Sequence, residues 1–108
     1  MDSLPSVTVD AITEKTTVLD VREDDEWEAG HIAHAQHIPL GDVMSRYSEL
    51  PADEEIHVIC RRGGRSARVT AWLNQNGFDA VNVSGGMGAW MDAQRDMVSE
   101  TGAAPYVK

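Results

Sequence analysis

Residues 56–66, Ile56-His57-Val58-Ile59-Cys60-Arg61-Arg62-Gly63-Gly64-Arg65-Ser66, decide the fold. The first four are rich in β-branched Ile and Val, which predicts a compact buried strand. Two consecutive glycines then allow a tight loop, and residues 66–76 have the apolar spacing of a helix that ends at Gly77. The stretch therefore predicts a strand, a loop and a helix in direct succession, the repeating unit of parallel α/β sheets.

The same alternation continues on both sides of this unit. The patterns predict strands at residues 6–9, 17–20, 36–38 and 80–83, and helices at residues 23–29, 41–50 and 89–97. Residues 84–88 form a glycine-rich turn, and residues 98–108 show no period and are expected to form an extended tail. We expect one α/β domain over residues 1–108, with its core at about residues 6–97 and a mainly parallel sheet of about five strands that carries helices on both faces.

The charge of the chain excludes several classes of partner. Its 18 acidic and 9 basic residues give a formal net charge of −9, which repels nucleic-acid phosphates and anionic membrane surfaces. The first residues lack the basic and apolar regions of a signal peptide, so a cytoplasmic location is expected. The sequence leaves the oligomeric state open, and a monomer is the simplest expectation. The single cysteine permits no internal disulfide and no four-thiolate metal site.

That cysteine, Cys60, follows a predicted strand and precedes a loop and a helix, where open α/β sheets bind their ligands. Four arginines follow it closely, namely Arg61, Arg62, Arg65 and Arg68. The loop glycines let backbone N–H groups turn inward as an anion-binding nest, and the next helix directs its positive end to the same place. Each residue alone is compatible with a filler cysteine beside solvated arginines. Together they predict a nucleophilic thiolate that selects an anionic substrate.

Several motifs, taken in order, resemble those of the rhodanese-like domains. They are Leu19-Asp20-Val21-Arg22-Glu23, Gly30-His31-Ile32 with Ala35-Gln36-His37-Ile38-Pro39, Cys60 to Ser66, and Gly85-Gly86-Met87-Gly88-Ala89-Trp90. The resemblance implies that Cys60 takes a sulfane sulfur from thiosulfate or a similar donor as a persulfide. It further implies that Cys60 passes this sulfur to a thiophilic acceptor, cyanide in vitro or a thiol in the cell, without a cofactor.

The resemblance also implies roles for the neighbours of Cys60. The substrate-binding residues would be the rest of the loop, Arg61, Arg62, Gly63, Gly64 and Arg65. The structural supports would be Asp20, Arg22 and Ser66. The chain departs from the family at Ala33-His34, where members commonly have Pro-Gly, and histidine tolerates a positive φ less easily than glycine.

Three histidines at intervals of three do not predict a metal site. His31, His34 and His37 span the predicted end of a helix and the start of a strand, so equal spacing does not place them on one face. His31 and His37 also match family positions that need no metal. The three tryptophans are expected in the core, and they are Trp27, Trp72 and Trp90.

Two other functions remain open. A phosphatase or arsenate reductase of this fold would also use a cysteine and an arginine around an oxyanion. Here four residues separate Cys60 from Arg65, one fewer than in the resembling phosphatases, and the smaller ring suits a persulfide sulfur. Arsenate reduction often uses a second thiol in the same chain, although an external thiol can replace it. The third class is a regulatory rhodanese-like binding module, against which the presence of Cys60 argues.

Overall fold

Five short strands form one parallel sheet in the computed structural model, which describes residues 4–108. The strands are β1 (Ser6–Val7), β2 (Thr17–Asp20), β3 (Gln36–His37), β4 (Glu55–Ile59) and β5 (Asp79–Val83). Their order across the sheet is β1-β5-β4-β2-β3, and every neighbouring pair is parallel. The predicted parallel α/β sheet is therefore confirmed.

Four α-helices occur within the described residues, together with three short 3-10 turns. The helices are α1 (Asp24–Ala29), α2 (Val43–Arg46), α3 (Gly64–Gln75) and α4 (Gly86–Asp92). The 3-10 turns are Val9–Ala11, Leu40–Asp42 and Tyr47–Glu49. Among residues 4–108, no helix has the length and apolar character needed to cross a membrane.

The core consists of two apolar clusters, one on each face of the sheet. Successive residues of a strand point to opposite faces, so Val58 of β4 belongs to the first cluster and Ile59 to the second. Leu73 of α3 is fully buried in the first cluster, and Trp90 of α4 is buried in the second. Helices therefore cover both faces, as the sequence predicts, and the carboxyl ends of the strands stay free to form a site.

The segment predicted as one helix over residues 41–50 is helical but not continuous, because the chain forms the Leu40–Asp42 turn, the four-residue α2 and the Tyr47–Glu49 turn. Of the apolar residues spaced three and four apart in this segment, Val43 and Leu50 are buried, whereas Met44 is 67% exposed. An apolar face that stays half in solvent contributes little to a continuous helix.

Two other helices begin earlier than the periodicity predicts, in each case after a glycine with left-handed backbone. Helix α3 begins at Gly64 because Gly63 adopts φ 119° in front of it. Helix α4 begins at Gly86, after Gly85 at φ 80°, and ends at Asp92 instead of residue 97. Gln94, with φ 56°, turns the chain away just beyond its end.

The segment after α4, residues 98–108, packs against the domain. Val98 and His31 exchange two backbone hydrogen bonds of 2.9 Å, and the Tyr106 N–H donates to the Ala29 carbonyl at 3.1 Å. Val107 is buried in the second cluster and is the one buried residue of the segment. One buried apolar residue, Val107, gives no periodic pattern in the sequence. The packing of this segment therefore cannot be predicted from the sequence.

Candidate active site

Cys60 lies at the carboxyl end of β4, between β2 and the start of α3. The first turn of α4 packs against the other side of the loop. Its Met87 N–H donates to the Cys60 carbonyl at 2.8 Å, and its Gly88 N–H donates to the Arg61 carbonyl at 2.9 Å. The loop is therefore held between two helix starts, and its outer backbone groups are already hydrogen-bonded.

The sulfur of Cys60 faces donors on the inner side of the loop. The Gly63 N–H donates to Sγ at 3.1 Å, and the Ser66 hydroxyl lies 3.3 Å from Sγ. Burial raises the pKa of the Cys60 thiol, but the Ser66 hydroxyl and the backbone N–H groups of Ser66, Gly63 and Arg62 outweigh this effect, so the pKa lies below its ordinary value. The sequence predicts that arginine side chains lower this pKa. In the structure the main cause of the lowering is hydrogen bonding to the sulfur.

Asn82 of β5 is a member of this site that the sequence analysis did not identify. The Ser66 hydroxyl donates to Asn82 Oδ1 at 2.6 Å, and Asn82 Nδ2 donates to the Gly63 carbonyl at 3.3 Å. Asn82 is only 7% exposed and interrupts the buried apolar run of β5, residues 80–83. A buried amide in such a position is the sequence signal that would have marked it.

The loop arginines have three different environments. Arg65 donates to both carboxylate oxygens of Glu26 on α1, at 2.6 and 2.9 Å, and Arg61 Nε donates to the Lys108 carbonyl at 3.2 Å. Arg62 is exposed and has no ion-pair partner within residues 4–108. Arg65 thus joins α3 to α1, and its predicted contact with substrate stays a prediction.

Asp20 and Arg22 form a fully buried ion pair beside the loop, with Arg22 Nε 2.9 Å from Asp20 Oδ1 and Nη2 2.7 Å from Oδ2. Arg22 also donates to the carbonyls of Gly30 at 2.8 Å and of Glu26 at 3.3 Å. Glu26 therefore contacts Arg22 through its backbone and Arg65 through its side chain. This chain of contacts connects the end of β2 to the first turn of α3.

The three histidines make separate contacts. His31 and His37 stack on opposite sides of the partly buried Trp27, with ring centroids 3.5 and 4.7 Å from it. His34 Nε2 contacts the Thr16 carbonyl at 3.1 Å. Within residues 4–108, no cluster of His, Cys, Asp or Glu has the arrangement of a metal site.

The turn at Ala33-His34 contains no left-handed residue, because Gln94 is the one non-glycine residue with positive φ in the described part of the chain. His34 at this position therefore does not need a positive φ.

The tryptophans expected in the core are buried to different degrees. Trp90 is 4% exposed, and Trp72 is partly buried against the first apolar cluster.

Comparison with known proteins identifies the family. The sequence model of the Rhodanese-like domain matches residues 6–93, and the chain belongs to this family. YtwF of Bacillus subtilis is 46% identical over 77 residues, which cover 71% of this chain and 75% of YtwF. A protein of Allochromatium vinosum named sulfurtransferase is 37% identical over 81 residues, covering 74% of this chain and 76% of that protein.

Solved structures agree with this assignment. The crystal structure of a rhodanese-like domain protein from Staphylococcus aureus matches with a TM-score of 0.76 and 31% identity. The match covers 95% of this chain and 100% of that chain. The family resemblance seen in the motifs is therefore confirmed.

Proposed function

We propose that this protein is a sulfurtransferase in which Cys60 carries a sulfane sulfur as a persulfide. The observation that supports this most strongly is the hydrogen-bonding of Sγ by the Gly63 N–H at 3.1 Å, inside a loop that lowers the thiol pKa. Membership of the rhodanese-like family, and a relative named sulfurtransferase, support the same reaction.

Thiosulfate is the proposed donor. The Cys60 thiolate attacks its outer sulfur, the sulfur–sulfur bond of thiosulfate breaks, and sulfite leaves with the bonding electron pair. Cyanide or an acceptor thiolate then attacks the outer sulfur of the persulfide. The second step releases the Cys60 thiolate and yields thiocyanate or an acceptor persulfide, so the cycle needs no external oxidant or reductant.

The residues of the loop have different roles in the proposed reaction. The backbone N–H groups of Arg62, Gly63 and Ser66, which are directed at Cys60, hold the negative charge of the persulfide, as an anion nest does. The guanidinium groups of Arg61 and Arg62 attract the anionic donor toward an otherwise acidic protein. Arg65 acts through Glu26 by fixing the first turn of α3, which makes it a positioning residue.

Access to the thiol requires a movement of the loop. Cys60 is 1% exposed, whereas Arg62 and Gly64 at the outside of the loop are exposed. Because Cys60 belongs to the first apolar cluster, we place this movement in the exposed outer residues of the loop, which shift when the donor sulfur enters.

Intact mass measurement tests the proposal directly. After incubation with thiosulfate, the wild-type protein should gain the mass of one sulfur atom and lose it to cyanide with formation of thiocyanate. Cys60→Ser is the matched control, because it keeps a hydroxyl where the thiol was. Turnover in Cys60→Ser, or an unmodified wild-type protein, would contradict the proposal.

The phosphatase and arsenate reductase alternatives have less support. Those reactions need an arginine directed at the oxyanion, and Arg65 is engaged by both oxygens of Glu26. An assay of aryl phosphate hydrolysis and arsenate reduction on the same preparation separates the reactions. A regulatory module would show none of the three activities.

A further inference from the structure

An open apolar groove lies on the side of α3 next to the Cys60 loop. It has a volume of about 260 Å³, and its walls are Leu40, Val43, Met44, Arg68, Val69 and Trp72. Met44 is 67% exposed at its edge, although it is a large apolar side chain. The ring of Trp72 packs edge-on against the ring of Tyr47, with 5.6 Å between the two ring centroids. Packing within the chain therefore fixes the position of this wall.

The groove begins about one helical turn from the candidate active site. Helix α3 begins at Gly64, immediately after the loop, and Arg68 of the groove lies four residues further along the helix. At about 1.5 Å per residue, this separation is about 6 Å along the helix axis. A protein that brings a thiol to Cys60 covers about 800 Å² of surface, a patch about 30 Å across, and therefore extends over the groove.

The charged side chain that lines the groove is opposite in sign to the net charge of the chain. Arg62 and Arg68 are exposed and make no ion pair with any residue of the described range 4–108. Arg68 is the only charged residue among the six that line the groove. An apolar groove with a cationic edge complements a large apolar side chain flanked by carboxylates.

We propose that this groove docks the protein that accepts sulfur from Cys60, through an acidic segment of that protein that carries a large apolar side chain. This inference rests on the proposed function, since it assigns the acceptor to the class of protein thiols. It predicts that the rate of sulfur transfer to a protein acceptor depends on the groove, whereas the rate of transfer to a small acceptor such as cyanide does not.

The first test measures binding without sulfur chemistry. A library of random peptides is selected on the Cys60→Ser protein, and the enriched peptides are titrated against Cys60→Ser proteins that also carry Met44→Glu or Arg68→Gln. Enriched peptides should combine carboxylates with a large apolar residue, and their affinity should fall about tenfold in both groove variants. Met91→Glu and Lys15→Gln are the matched controls, because Met91 is exposed on α4 and Lys15 is exposed before β2.

Two binding results would overturn the proposal. One is that the enriched peptides bind the groove variants and the control variants equally well. The other is a dimer that Met44→Glu dissociates in sedimentation experiments, because a second copy of this chain would then occupy the groove.

The second test measures transfer. An enriched peptide extended by one cysteine accepts sulfur from preloaded Cys60 persulfide in a single turnover, beside cyanide. In Met44→Ser, which leaves the charge of the site unchanged, the second-order rate constant should fall about tenfold for the peptide and stay within about twofold for cyanide. Equal losses for both acceptors would refute docking. A wild-type protein that transfers no sulfur even to cyanide would refute the proposed function, whereas the binding test would still decide whether the groove binds peptides.

Discussion

Ser66 Oγ lies 2.6 Å from Oδ1 of Asn82. Ser66 Oγ also lies 3.3 Å from Sγ of Cys60. A serine hydroxyl has only one proton to donate. The amide of Asn82 keeps its oxygen toward Ser66, because its Nδ2 donates to the Gly63 carbonyl. Asn82 and the Cys60 thiolate therefore compete for one proton, so a residue of the neighbouring strand influences the reactivity of the thiol.

This competition predicts opposite effects for two substitutions of Asn82. Asn82→Ala removes the competing acceptor, so the Ser66 hydroxyl donates to the thiolate and the pKa of Cys60 falls further. Asn82→Asp adds a carboxylate that holds the same proton and repels the thiolate, so the pKa of Cys60 rises. The rate of alkylation measured against pH shows both shifts, and a shift of the two variants in the same direction would contradict the model.

Ser66→Ala removes the hydroxyl and leaves the backbone donors in place. A hydrogen bond to a charged group contributes about 1.5–3 kcal/mol, so alkylation of the variant at acidic pH should be about tenfold slower or more. Ser48→Ala is the control, since Ser48 lies in the exposed Tyr47–Glu49 turn. An unchanged alkylation profile in Ser66→Ala would show that the backbone donors suffice.

The ion pair between Glu26 and Arg65 predicts a pH-dependent stability. The hydrogen bond from Arg65 holds the pKa of Glu26 below its ordinary value of 4.5, despite the opposing effect of burial. A lowered folded-state pKa gives stability that is complete above about pH 4.5 and is lost as the pH falls through the folded-state value. Glu26→Gln should therefore lower the free energy of unfolding by about 1 kcal/mol at neutral pH and by less in acid.

Urea unfolding at several pH values checks this expectation. Glu28→Gln on the same helix is the matched control, because the exposed Glu28 forms no ion pair with the described residues. A constant difference between wild type and Glu26→Gln at all pH values would contradict the assignment. Arg65→Ala should cause a similar loss of stability, and it should lower kcat because the first turn of α3 loosens.

The exposed Arg62 is expected to contribute to thiosulfate binding, and this contribution should depend on salt concentration. Its guanidinium is exposed and unpaired within residues 4–108, so it acts on an anionic donor through the field. Arg62→Ala should raise KM for thiosulfate severalfold at low ionic strength, and the difference should shrink as salt screens it. Lys15→Ala at the opposite end of β2 should leave KM unchanged. Equal KM values in Arg62→Ala and wild type at low salt would exclude this role.

The parts of the site that the sequence predicts are those determined by neighbouring residues. The β-branched run of β4, the two glycines and the following helical spacing place Cys60 at a strand end from local information alone. Asn82 and Glu26 could not be assigned in this way, because their partners depend on the packing of distant elements. Arg65 illustrates the same limit, since Glu26 lies 39 residues away in sequence. A cluster of arginines in sequence does not show which ones already have a carboxylate partner.

Gly86 is the residue whose loss should most damage the loop. It adopts φ 55°, and a Cβ at this position would overlap the Cys60 carbonyl oxygen and lie 2.8 Å from the Arg61 carbonyl. Gly77 is the matched control, because it has φ 89° but no atom within 4 Å of an added Cβ. Gly77→Ala should therefore cost about 1–2 kcal/mol of stability from backbone strain alone and leave sulfur transfer intact. Gly86→Ala should cost more and reduce sulfur transfer in the remaining folded protein by over about tenfold, because the carbonyls of Cys60 and Arg61 must move. The fraction of folded protein is followed by circular dichroism. Equal turnover per folded molecule in the two variants would show that the first turn of α4 does not hold the loop in its active form.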